Sequence, residues 1–180
     1  MVSIEAQSIL RRKAALGTQE HEARAMSVAK AMRQSIAKLG KELFEMPLSA
    51  IGAITEDRKA SDLFKLIDDA SLLCLLEGED GKVGAAIIGA DIVGGLIQQQ
   101  TMGRVSPVSG TTRPMTQTDA AMCAPLLDAL FERVAPMLEV KAERDVVGGF
   151  NFGARFEDVR TLEMALELPE YFVVWLTLDL

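Results

Sequence analysis

The stretch from Val83 to Val140 decides the fold: VGAAIIGADIVGGLIQQQTMGRV over 83–105, a loop, then RPMTQTDAAMCAPLLDALFERVAPMLEV over 113–140. Its first part runs from an apolar strand into a helix that Asp91 can cap. Gly94 and Gly95 inside that helix each cost about 1 kcal/mol relative to Ala, so they point to close approach of a neighbouring element. The segment Gly103 to Pro114 reads as a loop from its Gly, Pro, Ser and Thr content. Thr116 with Asp119 then forms a capping box in which Asp replaces the usual Glu or Gln. The helix that follows puts Met122, Leu126, Leu127, Leu130, Phe131, Val134, Met137 and Leu138 on one broad face. Pro125 lies within it, and a kink or break is expected near Ala121.

Working outward, apolar residues Ala25, Met26, Ala29, Met32, Ile36, Leu39 and Leu43 recur at spacings of three and four, which predicts an amphipathic helix over Gln19 to Phe44. Thr18 can cap its start and Pro47 stops it. Leu48 to Thr55 reads as a strand and Ala60 to Asp69 as a short helix. Ser71–Glu77 and Val83–Ile88 flank GEDGK, whose Gly and Asp suit a hairpin turn. At the other end, YFVVWLTLDL is a strand rich in β-branched and aromatic residues, apolar on both faces apart from Thr177 and Asp179. It belongs inside a sheet or against a partner.

A coarse repeat emerges from this order. A long helix, strands and a closing helix fill Gln19 to Gln100, and a long helix and strands follow from Thr116, without the last strand and helix. The expected fold class is therefore α/β, with long helices packed on a central, mostly antiparallel sheet and a pseudo-twofold repeat whose second half is incomplete. A truncation of a longer protein is expected. Residues 1–18 are expected to be a tail or short helix, and residues 19–180 to form one module.

The chain has 180 residues, of which 49% are apolar and 25% charged, enough to build a core. Its net charge of −7 divides into +3 through Met46 and −10 beyond. An acidic body lacks the clustered cations that track phosphates, so nucleic acid is not an expected partner. The longest apolar run, Val83 to Ile97, contains Asp91 and several glycines and is shorter than the ~20 residues of a spanning helix. No membrane insertion is expected. The N-terminus places its basic residues after a short apolar stretch, the reverse of a secretory signal. Cys74 and Cys123 sit in apolar surroundings and read as small buried hydrophobes in a reducing cytoplasm.

Candidate chemistry is sparse. The single histidine, His21, lies between Glu20 and Glu22 and reads as a solvated surface residue rather than a catalytic base. One His and two distant Cys do not compose a tetrahedral zinc site, and neither a metal nor another cofactor is expected. Gly78–Gly84 lacks the Ser or Thr that follows the Lys of a phosphate-binding loop. Gly148, Gly149 and Gly153 do not lead clearly into a helix that could receive a dinucleotide phosphate.

The order of elements, with Met115-Thr116-Gln117-Thr118-Asp119 at the start of the second long helix, resembles the middle domain of the flagellar motor switch protein FliM and the CheC-like fold. That family carries an aromatic-Thr-Pro-x-Glu motif at the same place. This chain keeps the Thr and an acid and lacks the aromatic residue and the Pro. The resemblance implies a noncatalytic protein-interaction module at the cytoplasmic face of the flagellar basal body, with a FliG-like rotor protein and FliM/FliN-like subunits as partners. Type III secretion ring proteins are an alternative, as are a CheC-fold enzyme or small-molecule regulator and a self-associating module.

In the family a glycine-rich loop after the first closing helix contacts the rotor protein. The matching positions here are Gln98, Gln99, Gln100, Thr101, Met102, Gly103 and Arg104, where Gly103 and Arg104 keep the ending and the paired glycines are absent. The same stretch also reads as an exposed polar loop. Ile4 to Leu10 faintly echoes the family's response-regulator peptide. CheC-type phosphatases orient water with a Glu and an Asn three apart on the long helices, where this chain has Cys123 and Leu126. Its one Asn is Asn151, so that activity is not expected.

Overall fold

A computed structural model describes residues 25–106 and 113–180. Helix α1 (Val28–Phe44) opens at Ser27, whose hydroxyl accepts the Lys30 N–H at 3.5 Å. The start expected at Thr18 lies outside the described residues. Ala25 and Met26, expected on the helix face, precede the helix, because Ser27 supplies the acceptor that an N-terminal N–H otherwise lacks. At its far end Glu45 turns left-handed (φ 53°) and donates back to Gly40 and Lys41, ahead of Pro47. A Cβ on Gly40 would sit 2.5 Å from that of Leu48, so this glycine lets the chain fold back on the helix.

Strand β1 spans Ser49–Lys59, four residues beyond the expected end, because its polar second half pairs with the last strand. A short helix α2 (Ala60–Leu63) with a 3-10 turn (Phe64–Leu66) fills the place of the expected short helix. Strands β2 (Leu72–Glu77) and β3 (Val83–Ile88) form the expected antiparallel hairpin. Asp80 and Gly81 both take positive φ at its turn. Helix α3 (Ala90–Met102) follows, then α4 (Gln117–Val134), α5 (Lys141–Val147), β4 (Asn151–Phe156), α6 (Val159–Ala165) and β5 (Glu170–Asp179).

Two expectations about helices need correction. The N-cap of α3 is Gly89, with Asp91 inside the first turn, where its charge meets the positive end of the helix dipole instead of bonding a terminal N–H. Helix α4 runs unbroken past Pro125. Burial of Cys123, Leu126, Leu127, Leu130 and Val134 holds it in one piece, and Pro125 sits on the exposed side.

The fold is a layered α/β arrangement with antiparallel pairing throughout the described strands. These strands divide into a ribbon β1–β5 and a three-stranded sheet ordered β3-β2-β4, because β1 and β4 each pair with a strand from the opposite half. The repeat is legible residue by residue. Ala50 pairs with Leu178 as Phe152 pairs with Leu76, and Gly52 pairs with Thr177 as Ala154 pairs with Leu75. A bulge interrupts each pair at the same place, at Ile51 in β1 and at Gly153 in β4. Helices α1, α3 and α4 cover one side of both sheets, with Ile36, Leu39, Leu96, Leu127 and Leu130 in a core that includes Leu72, Cys74 and Leu76. On the other side, α6 lays Leu162 and Leu166 on Leu73, with Phe64, Ile67, Phe156 and Tyr171 around them.

Candidate protein-interaction surface

The expected partner-binding stretch is a helix end rather than a loop. Residues through Met102 belong to α3, because Gly103 takes a left-handed φ of 67° and donates its N–H to the Gln99 carbonyl at 2.9 Å. This is the C-terminal capping geometry that glycine adopts without strain. A Cβ on Gly103 would meet open space, so the backbone angle alone constrains this position.

The side chains of the turn divide into two groups. Gln98 accepts the Ser106 N–H at 2.8 Å through Oε1, which folds the departing chain back on the helix. Gln100 donates through Nε2 to the carbonyls of Leu96 (3.3 Å) and Met122 (3.1 Å) and so ties α3 to α4. Thr101 donates its hydroxyl to the Ile97 carbonyl at 2.7 Å. Gln99 is half-buried. Gln100 and Thr101 are exposed although their polar ends are bonded within the protein, and beyond them the tip is formed by Met102, 56% exposed, with Gly103 and Arg104. Of the seven positions from Gln98 to Arg104, three form this projection, Gln98, Gln100 and Thr101 bond within the protein, and Gln99 is partly covered.

The returning end of the same connection is anchored more firmly. Arg113 grips Asp119 with two parallel hydrogen bonds of 2.6 Å, from Nη1 to Oδ2 and from Nη2 to Oδ1. Asp119 also accepts from the Thr116 N–H (2.7 Å) and hydroxyl (2.8 Å), while Thr116 Oγ1 accepts the Asp119 N–H at 3.3 Å. The predicted capping box is therefore present, with an Arg clamp added to it. The Arg113 hydrogen bond is the main cause holding the Asp119 carboxyl well below the usual carboxylate range. Sequence reading found the cap and missed the clamp; the signal was Arg113 six residues before the capping acid.

The other searched chemistry stays apart. Cys74 and Cys123 are free and buried, and burial pushes both thiols up to about 12. Leu126, which stands with Cys123 where the phosphatase pair would be, is also buried. Asn151 lies on β4. Among the described residues no cluster of His, Cys, Asp or Glu could hold a metal, and His21 lies outside them, as does the Ile4–Leu10 segment. No described helix is long and apolar enough to cross a membrane.

A second exposed feature lies on the outer face of the β1–β5 ribbon. Trp175 donates through Nε1 to Glu56 at 2.6 Å, and Arg58 bridges Glu56 at 2.9 Å while its guanidinium stands 5.7 Å from the indole centre. Ile54, 62% exposed, pairs across from Trp175.

This architecture matches solved structures of motor switch proteins. A chain of the crystal structure of the FliG–FliM complex from H. pylori superposes with a TM-score of 0.64 at 8% identity, covering 84% of this chain and 80% of that one. The crystal structure of the FliM middle domain from Vibrio alginolyticus superposes with a TM-score of 0.52 at 19% identity, covering 84% and 83%. The fold is that of the FliM middle domain, as the order of elements led us to expect. No protein-family model and no characterised protein sequence matches the chain.

Proposed function

We propose that the chain is a noncatalytic interaction module of a flagellar motor switch, located at the cytoplasmic face of the basal body. It binds a FliG-like rotor protein through the tip of α3 and stands beside FliM/FliN-like neighbours. The observation that carries this reading is the match over most of the chain to a structure of a FliG–FliM complex. The geometry supports it: Met102, Gly103 and Arg104 project from a stem pinned by Gln98, Gln100 and the Arg113–Asp119 clamp. An apolar side chain beside a cation on a preorganised turn loses little conformational entropy on binding.

The absence of a Glu and Asn pair on α1 and α4 favours this reading over phosphatase chemistry, since Cys123 and Leu126 face the core and cannot orient a water. Titration calorimetry against the FliG-like middle domain encoded in the same genome tests the proposal. Saturable binding is expected, and it should be lost in the double variant Gly103→Asp, Arg104→Glu. A folded chain that binds no FliG-like domain would overturn it.

A further inference from the structure

The two halves differ at one matched point, where the long helix meets the first strand. In the second half Asp128 of α4 accepts the Phe152 N–H at 2.6 Å, beside the bulge of β4. The carboxylate satisfies a backbone donor that is turned away from β2. The first half has the same strand geometry, since Ala50 holds the place of Phe152 and Ile51 that of Gly153. Its helix offers a different side chain. The buried positions Val28, Met32, Ser35, Ile36 and Leu39 of α1 match Asp119, Cys123, Leu126, Leu127 and Leu130 of α4, which sets Ala37 in the place of Asp128. The packing agrees with this alignment, because Ala37 lines an open groove of about 460 Å³ with Ser49 and Ala50. The shared register turns the Ala50 N–H toward that groove.

The missing acid is matched by added cations. Lys30, Arg33 and Gln34 complete the lining of the groove, and their counterparts before Asp128 are Ala121, Ala124 and Pro125. Arg33 is exposed and enters no ion pair among the described residues, while Lys30 also donates to the Ala25 carbonyl at 3.4 Å. Where the carboxylate is built in, the helix around it is neutral. Where it is lacking, the helix carries donors.

We propose that the groove between α1 and β1 is a carboxylate-binding site for an acidic segment of a protein partner. A Glu or Asp side chain of the partner takes the position that the Asp128 carboxylate holds in the other half, accepting the Ala50 N–H together with bonds from Arg33 and Gln34. Hydrogen bonds from charged donors to a carboxylate are the strong ones, and a guanidinium can supply two in parallel. Shape and charge favour a segment over a free small acid. The groove is open along α1, and Lys41 continues the stripe of Lys30, Gln34 and Ala37 one turn further on the exposed face. Rows of cations of this kind read acidic motifs. The site shares no residue with the tip of α3, and its test is independent of the FliG-like reading.

The probe is a short peptide of alternating Glu and Ala with both ends capped, titrated into the isotope-labelled full chain and followed by NMR. The Ala50 amide proton should move downfield saturably, and the same peptide with Gln for Glu should leave it in place. Acetyl-aspartyl amide, a single free carboxylate, should need about tenfold higher concentration or more, and Arg33→Glu should weaken the Glu peptide by a similar factor. Ala37→Asp is the sharper variant, because it restores the pattern of the other half. Its own carboxylate should shift the Ala50 amide without peptide and abolish peptide binding in a chain whose core resonances are unchanged. An Ala50 amide unmoved by saturating Glu peptide would overturn the proposal, as would an Ala37→Asp chain that binds the peptide like wild type. So would an Ala50 shift that follows the concentration of the chain alone, which would give the groove to a second copy. Equal potency of acetyl-aspartyl amide would overturn it too, giving the groove to a small acid.

Discussion

Asp119 shows how one side chain can serve two purposes. It is 3% exposed, yet it remains ionised because Arg113 and Thr116 direct four hydrogen bonds at its two oxygens. Replacing it with Ala removes both the cap and the partner of Arg113 and should cost about 2 kcal/mol in urea denaturation at pH 7, at the upper end for helix caps. Its folded pKa is depressed, so the contribution is fully present above the unfolded value of about 4 and disappears as pH falls through the lower folded value. The stability gap between wild type and Asp119→Asn should therefore hold from pH 7 to about pH 4 and narrow only in stronger acid. Cys74 and Cys123 give a second residue-scale expectation. With thiols pushed up to about 12, neither should react with an aromatic disulfide reagent at pH 8 until denaturant opens the core. Prompt labelling of the folded chain would contradict the packing described. The capping box was legible because Thr-x-x-Asp before an apolar period has a local cause. The Arg clamp was less so, because a loop residue's partner depends on where the loop returns.

At the scale of elements, Gly95 is the test of how α3 packs. A Cβ there would collide with the end of the Leu180 side chain, and that contact explains why a helix interior tolerates glycine at this position. The colliding atom is the free end of a flexible side chain that can rotate aside, so Gly95→Ala should change stability by less than about 1 kcal/mol, the gain in helix propensity offsetting the displaced contact, and in a Leu180→Ala background the same substitution should be a net gain. An effect of Gly95→Ala that is the same in both backgrounds would remove Leu180 as the constraint. Close approach at the glycine pair was readable from the sequence, whereas the identity of the approaching residue was not. The hairpin of β2 and β3 was also readable, since its turn needs positive φ at Asp80 and Gly81 and the sequence offers Asp-Gly there. Local signals misplaced two boundaries. The start of α1 is fixed by Ser27 rather than Thr18, and β1 extends through Glu56 to Lys59 because β5 pairs with it, a partner more than a hundred residues away. Continuity of α4 through Pro125 is likewise a tertiary effect, in which a buried face on both sides outweighs one lost backbone bond.

Across the whole molecule, two halves exchange strands: β1 of the first pairs with β5 of the second, and β4 of the second with β2 of the first. Neither half can close its own sheet, so the two should unfold together. Leu162→Ala, in the smaller core beneath α6, should lower stability by about 2–4 kcal/mol and shift a single cooperative transition followed by both Trp175 emission and circular dichroism. The sequence showed the repeat as an order of helices and strands. It did not show the matched bulges at Ile51 and Gly153, because a bulge is defined by the opposing strand. The backbone of the candidate surface differs from the one expected: the glycine at its end was taken for part of a loop, where it caps a helix and leaves Met102 and Arg104 to project. The central claim is that this tip engages a FliG-like partner, and amide hydrogen exchange of the chain with and without that partner tests it most directly. The account predicts protection concentrated between Gln99 and Ser106, with the outer face of the β1–β5 ribbon unchanged. Protection elsewhere with this segment exchanging freely would contradict it.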